Sequence, residues 1–196
     1  MCAYSDWDQI YREVPVDQWG WELGKPRPIL VAMVENGKVP PGQALDLCCG
    51  AGTNTVYLAK KGFKVTGIDI SLTALQLAKK EATKANVTID FLNGSFVDLA
   101  FADAAFDFVF DMGCFHHVEP EDRNRFLIGL YRVLKLGGVY MFTGFSDRNG
   151  PGWNHFSEQH IRSLFSSLNI EHLQHISSLE GDGVVRYFYT ALMRKL

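Results

Sequence analysis

The stretch Leu45-Asp46-Leu47-Cys48-Cys49-Gly50-Ala51-Gly52-Thr53 decides the fold. Ala44 to Cys49 is a short apolar run with the length of a buried strand, and it breaks into a turn of small residues. A helical stretch follows from Thr53 to Lys61. A strand that turns through glycine straight into a helix is half of a strand–helix–strand unit, and the rest of the chain repeats the rhythm. Phe63 to Ile70 reads as the second strand, and Ser71 as the N-cap of a helix running to about Ala85. Val87 to Leu92 and Phe106 to Asp111 read as the third and fourth strands. Pro120, with Glu121 and Asp122 behind it, opens a helix that reaches Leu134 and ends at Gly137-Gly138. Val139 to Phe145 is the fifth strand, Ser157 caps a helix to about Leu168, and Val184 to Met193 closes the chain as a β-rich segment. Strands alternating with helices imply a mostly parallel sheet covered on both faces.

Residues 1–40 differ from this. They carry Tyr4, Trp7, Tyr11, Trp19 and Trp21, then a Pro-rich turn at Pro26 and Pro28. They read as an aromatic lid on a core of residues 41–196, with all 196 residues in a single domain. A net charge of −3 with scattered Lys and Arg gives no basic stripe for nucleic acid and no basic amphipathic helix for a membrane surface. No apolar run approaches the roughly 20 residues of a membrane span. Met1 to Trp7 is polar and lacks the apolar region of a secretory signal. Cys2, Cys48, Cys49 and Cys114 form no disulfide framework by their spacing, so a reducing, cytoplasmic compartment is expected, with a monomer or homodimer.

Small residues at 50–52 let the backbone approach a ligand, and the helix behind them points free N–H groups at it. Taken alone, such a turn is a weak signal that a plain strand–helix connection also produces. Asp69 adds to it: it ends the second strand about twenty residues beyond the turn, where a carboxylate can accept bonds from both ribose hydroxyls of a nucleoside. The bland reading of Asp69 is an acid at the N-terminus of the next helix. A dinucleotide site would want Gly-x-Gly-x-x-Gly, but Thr55 stands at the third position and the chain leaves no room for a separate substrate domain. A nicotinamide oxidoreductase is therefore disfavoured. S-adenosylmethionine needs no pyrophosphate site, and Asp46 would then sit near the positive amino group of its methionine part.

With these motifs the chain resembles the class I S-adenosylmethionine-dependent methyltransferases along nearly its whole length. Leu45 to Gly52 matches their nucleoside-binding motif, Val65-Thr66-Gly67-Ile68-Asp69-Ile70-Ser71 the ribose-binding strand end, Phe106 to Asp111 the fourth strand, and Arg132 to Gly138 the segment before the fifth. Trp21-Glu22-Leu23-Gly24-Lys25-Pro26 and Gly113-Cys114-Phe115-His116-His117 resemble the thiopurine, thiol and tellurite methyltransferase branch. The resemblance implies an α/β, Rossmann-like, doubly wound, mostly parallel sheet with helices on both faces and an antiparallel C-terminal strand. It implies S-adenosylmethionine as cofactor, S-adenosylhomocysteine as product and a small-molecule acceptor. It places Tyr11, Trp21, Asp46, Cys48, Gly50, Asn54, Asp69, Ile70, Ser95, Phe96, Asp111 and Met112 at the cofactor, and Trp7, His116, His117 and His155 at the acceptor. Cys48 replaces a glycine, which a negative φ would accommodate. Ser95 stands where an Asp commonly meets the adenine amino group, and Leu136 replaces a proline.

The chemistry asked of the protein is in-line positioning, which can supply roughly 7–11 kcal/mol of a barrier. A thiolate acceptor needs little base help near neutral pH, whereas an oxygen or nitrogen acceptor would benefit from a general base. His116 and Asp111 are the candidate catalytic groups, with no metal expected. Cys48-Cys49 reads as small residues packed in a turn, with a vicinal metal or arsenic site as the lesser alternative. The favoured function is methyl transfer to a thiol or similar soft nucleophile. The alternatives are an O- or N-methyltransferase of a small metabolite, or a protein that binds the cofactor and transfers nothing.

Overall fold

A computed structural model describes residues 6–196, so Cys2 and Tyr4 lie outside the described residues. Along the chain run α1 (Asp6–Glu13), α2 (Pro28–Glu35), β1 (Gln43–Leu47), α3 (Thr53–Lys60), β2 (Lys64–Asp69), α4 (Leu72–Lys84), β3 (Asp90–Asn93) and β4 (Phe106–Met112). Then follow α5 (Arg123–Val133), β5 (Leu134–Phe145), α6 (Glu158–Leu164), β6 (Asn169–Leu179) and β7 (Val185–Arg194). The strands form one sheet in the order β3-β2-β1-β4-β5-β7-β6. It is mostly parallel, with β7 antiparallel to both of its neighbours, as in the Rossmann-like fold. The chain divides into two compact units, one holding the described residues to Phe96 with Glu180–Val184, the other Val97–Leu179 with Val185–Leu196.

In the first unit β1, β2 and β3 pair in parallel, with Leu47 opposite Ile68 and Asp69 opposite Asn93. Ser71 caps α4 as its sequence position requires, accepting the Ala74 N–H at 3.0 Å. Gly52 holds φ +85, and a Cβ there would lie 2.9 Å from Ala78 Cβ, so α4 packs directly onto the turn after β1. Cys48 departs from expectation. It holds φ +50 rather than a negative value. This is the left-handed region, which costs a residue with a Cβ about 1–2 kcal/mol. The Pro-rich turn is also corrected: Pro28 is the first residue of α2, where its missing N–H is no loss.

In the second unit β4 and β5 are parallel, and the antiparallel β7 joins β5 to β6. α5 stops at Val133 and the chain becomes extended at once, so Gly137-Gly138 lie inside β5 and do not end the helix. The register explains it: Phe106 faces Leu134 and Phe108 faces Val139, so extra residues of β5 are accommodated there. Gly137 N–H donates to Lys195 O and Lys195 N–H to Gly138 O, which ties the irregular stretch to the end of the chain. α5 itself starts at Arg123, beyond Pro120. The core of this unit is aromatic, with Phe115, Phe126, Tyr140, Phe142, Phe156 and Phe165 all buried. Burying each such ring stabilises by roughly 1.5–3 kcal/mol.

No helix among the described residues is long and apolar enough to cross a membrane. Cys49 is a free, buried thiol.

Candidate active site

The site in the first unit is built on the ends of β1 and β2. Asp69 closes β2, and backbone donors hold both of its carboxylate oxygens. Gly50 N–H reaches Oδ2 at 2.9 Å and Ser71 N–H reaches Oδ1 at 2.9 Å. One side chain thereby joins the glycine turn to the start of α4. Burial pushes the carboxyl up, opposed by the N–H groups of Ser71, Gly50 and Ile70 that favour its charged form. Each oxygen keeps a further lone pair for a ligand hydroxyl. The Asn93 amide donates to the carbonyls of Asp69 and Ile70 and fixes the strand end. Gly94 N–H donates to Asp69 O, and beyond it Ser95 is half-buried and Phe96 buried.

Asp46 lies buried in β1 and accepts the Thr55 hydroxyl at 2.6 Å. Asn54 accepts the Arg27 N–H at 2.9 Å through its side-chain oxygen. Cys48 is exposed. Burial, with the charges of Asp46 and Asp69 behind it, pushes the Cys49 thiol far up and keeps it protonated. Gly50 holds φ +54, and a Cβ there would stand 2.8 Å from the Tyr11 hydroxyl oxygen.

Tyr11 belongs to an aromatic group that the structure does bring together. Trp7 meets Trp21 edge-on at 5.3 Å, Tyr11 meets Trp19 at 4.9 Å, and Trp19 stacks on Trp21 at 5.8 Å. Burial and the Asp69 charge push the Tyr11 hydroxyl far above its ordinary value, so it stays a phenol. Sequence reasoning missed what pins this aromatic group. Asp8 of α1 accepts the Ser71 hydroxyl at 2.7 Å and the Thr73 N–H at 2.9 Å, which hold its carboxyl well below the usual range. At the other end Arg27 donates to Glu180 at 2.8 Å and to Trp21 O at 2.6 Å, both side chains of the ion pair being buried. Gly181 N–H donates to Gly20 O at 2.8 Å. These partners are far apart in sequence, and no local pattern announces them.

In the second unit the residues after β4 and β5 converge on Phe145. His116 stacks on its ring at 4.1 Å, and His155 meets it edge-on at 5.6 Å. His116 Nε2 lies 3.1 Å from His117 Nε2. His155 Nδ1 lies 2.7 Å from Gly150 O, and since a carbonyl only accepts, this nitrogen carries the proton. Burial, then the neighbouring His117 and His155, hold His116 well below the ordinary imidazole value, so it is neutral at pH 7. Burial lowers His117 as well. Met112 ends β4 half-buried, opposite Thr143.

Asp111 is fully buried and faces the protein. It accepts N–H groups of Cys114 at 2.7 Å and Phe115 at 3.1 Å and the Tyr140 hydroxyl at 2.7 Å, so it shapes the turn that carries His116. Burial pushes its carboxyl up to about 6 against those three donors. The folded value exceeds the unfolded one, so the native state binds more protons between about pH 4 and 6. Stability linked to Asp111 is full below that window and is lost as pH rises through it. Relative to Asp111→Asn, the wild type is expected to lose about 2 kcal/mol between pH 4 and pH 7. Urea unfolding of both proteins at the two pH values checks this, and an unchanged difference contradicts it.

A glycine turn and a buried carboxylate at adjacent strand ends, beside a packed aromatic group, are set on a mostly parallel α/β sheet. The chain matches the methyltransferase domain family over residues 44–138. It is 31% identical over 117 residues to the uncharacterized methyltransferase C1348.04 of Schizosaccharomyces pombe, covering 60% of this chain and 80% of that one. It belongs to the methyltransferase family. It is also 38% identical over 134 residues to "Probable thiol methyltransferase 2" of Arabidopsis thaliana, covering 66% of this chain and 59% of that one. Among solved structures, one from work on the conversion of a disulfide bond into a thioacetal group during echinomycin biosynthesis superposes with a TM-score of 0.87. It is 24% identical, and the match covers 98% of this chain and 92% of that one. The chain spans 49% to 66% of the length of three of the curated relatives it matches.

Proposed function

We propose that the protein transfers a methyl group from S-adenosylmethionine to a small-molecule acceptor, a thiol or comparable soft nucleophile, and releases S-adenosylhomocysteine. The observation that carries the reading is Asp69, locked between the Gly50 and Ser71 N–H groups with acceptor capacity to spare for a ribose. The residues present fit this cofactor: Asp69 offers a carboxylate at the strand end, and the aromatic faces of Tyr11 and Trp21 suit a cation. S-adenosylmethionine, when bound, supplies a methyl group already activated on a sulfonium sulfur. Asp69 binds the ribose, the lid residues exclude water, and His116 with His117 and His155 orients the acceptor beside the strand ends. The identity shared with a thiol methyltransferase supports a sulfur acceptor. Calorimetry with S-adenosylmethionine, S-adenosylhomocysteine and NAD, followed by turnover on a thiol panel, tests the reading. Binding of the first two with methylated thiol detected by mass is the expected result. NAD binding in their place, or cofactor binding without transfer to any thiol, oxygen or nitrogen acceptor, rejects it.

A further inference from the structure

Asp69 and α1 meet on one serine. Ser71 is buried; its N–H donates to Asp69 Oδ1 at 2.9 Å and its hydroxyl to Asp8 Oδ1 at 2.7 Å. The same Asp8 oxygen accepts the Thr73 N–H at 2.9 Å. Thr73 lies in the first turn of α4, where N–H groups have no partner within the helix. Asp8 thus serves α4 from another helix, alongside Ser71, which accepts the Ala74 N–H. Arg12 pairs with the other Asp8 oxygen from the solvent side. Three residues on from Asp8, Tyr11 lies on the same face of α1. Its hydroxyl stands beside the glycine turn, 2.8 Å from where a Cβ on Gly50 would lie. Gly50 N–H donates to the other Asp69 oxygen at 2.9 Å. The contacts therefore close a ring, from Asp69 through Ser71 and Asp8 to α1, and through Tyr11 and Gly50 back to Asp69. All of its members belong to the first unit. A helix of eight residues is too short to hold itself in water, so the order of α1 depends on its docking.

We propose that Asp8 is a latch: it holds α1 on α4 so that Tyr11 closes against the Gly50 turn, and it thereby couples docking of α1 to retention of the nucleoside at Asp69. The proposal rests on the S-adenosylmethionine reading above. Burial and, more weakly, the Asp8 charge push the Asp69 carboxyl up. Ribose hydroxyls that donate to Asp69 spread its negative charge, reduce its repulsion of Asp8 and so firm the latch. A docked α1 in turn steadies Ser71 and Gly50, whose N–H groups hold Asp69 for the ribose. Linkage makes the two effects equal: the ligand strengthens docking by the factor by which docking strengthens the ligand. Asp8 touches neither methyl donor nor acceptor; it acts through Ser71 and Tyr11 as a positioning residue.

Binding and release of S-adenosylhomocysteine, followed by stopped-flow tryptophan fluorescence, test the latch. In Asp8→Ala the dissociation rate should rise about tenfold, the scale of a lost hydrogen bond to a charged group. The association rate should stay within about twofold, since contacts that retain a ligand act on its release. Asp8→Asn, which keeps an oxygen for Ser71 and Thr73, should restore most of the difference. In a Tyr11→Ala background, Asp8→Ala should add less than about twofold, because the residue it acts through is gone, whereas an independent structural loss would add in full. Hydrogen exchange should show S-adenosylhomocysteine slowing the α1 amides in the wild type and not in Asp8→Ala. Circular dichroism and melting temperature accompany each variant. If the alanine variant does not fold, Asp8→Glu, whose longer arm misplaces α1 without removing the charge, should still raise the dissociation rate about threefold. An unchanged dissociation rate in the folded variant, or the same rise with and without Tyr11, overturns the latch and leaves the cofactor reading intact. A wild type that binds no S-adenosylhomocysteine rejects the cofactor reading, and the latch with it.

Discussion

Gly50→Val is expected to weaken S-adenosylmethionine binding more than a hundredfold while leaving a folded protein. Two effects combine. The added Cβ would stand 2.8 Å from the Tyr11 hydroxyl oxygen, and φ +54 is a region that a β-branched residue resists. Relief requires the turn to move, and the turn's N–H is one of the donors that hold Asp69. Tyr11 and Asp69 are therefore disturbed together. Gly50→Ala should lie between, because alanine brings the clash without the branching. Calorimetry gives the affinities, and far-ultraviolet circular dichroism reports the fold. A valine variant that binds within threefold of the wild type would show that this turn does not cradle the donor.

Asp69→Ala should raise the dissociation constant roughly ten- to hundredfold, the effect of losing about 1.5–3 kcal/mol of hydrogen bonds to a charged group. The loss has two sources, the ribose hydroxyls and the ordering of the turn through Gly50 and Ser71. Stability should change less than binding. Two buried N–H groups lose their acceptor, but a carboxylate whose burial disfavours its charge is removed with them. Asp69→Asn keeps the shape yet presents an NH2 group to one of those donors, so it should also bind weakly. Unchanged binding of S-adenosylhomocysteine by either variant contradicts the ribose assignment.

The elements from β1 to β5 were legible because their signals are local. Glycines follow an apolar run at Leu45–Gly52, and Ser71 occupies a capping position before an amphipathic helix. β6 was missed for a physical reason. It lies at the edge of the sheet, every residue of Asn169–Leu179 is half-buried or exposed, and the period-two apolar signal is correspondingly weak. α2 was hidden behind Pro26 and Pro28, which mark a turn as readily as a helix start. At the site, the sequence singled out Asp69, Gly50, the lid aromatics and the histidines. It could not say that Asp111 turns inward to three donors, nor that Asn54 serves Arg27, because partners such as Tyr140 and Arg27 lie 29 and 27 residues away. The unexpected positive φ at Cys48 belongs to the same class: the turn geometry, which the residue type disfavours, prevails.

The ion pair that fastens the lid has a consequence for biosynthesis. Arg27 and Glu180 are separated by 153 residues. At a synthesis rate of about 5–20 residues per second, Arg27 leaves the ribosome roughly 8–30 s before its partner. Until then the arginine has no buried carboxylate to meet, and the backbone tie from Gly181 to Gly20 cannot form. A guanidinium buried without its partner is strongly unfavourable, so the aromatic segment has reason to stay open on the nascent chain. The three strands β1, β2 and β3 can pair early, but the aromatic segment is fastened only when the tip of the last hairpin arrives. Chain termination before residue 180 would therefore yield a partly formed sheet with an unfastened lid, a product that quality control can recognise by its exposed indoles.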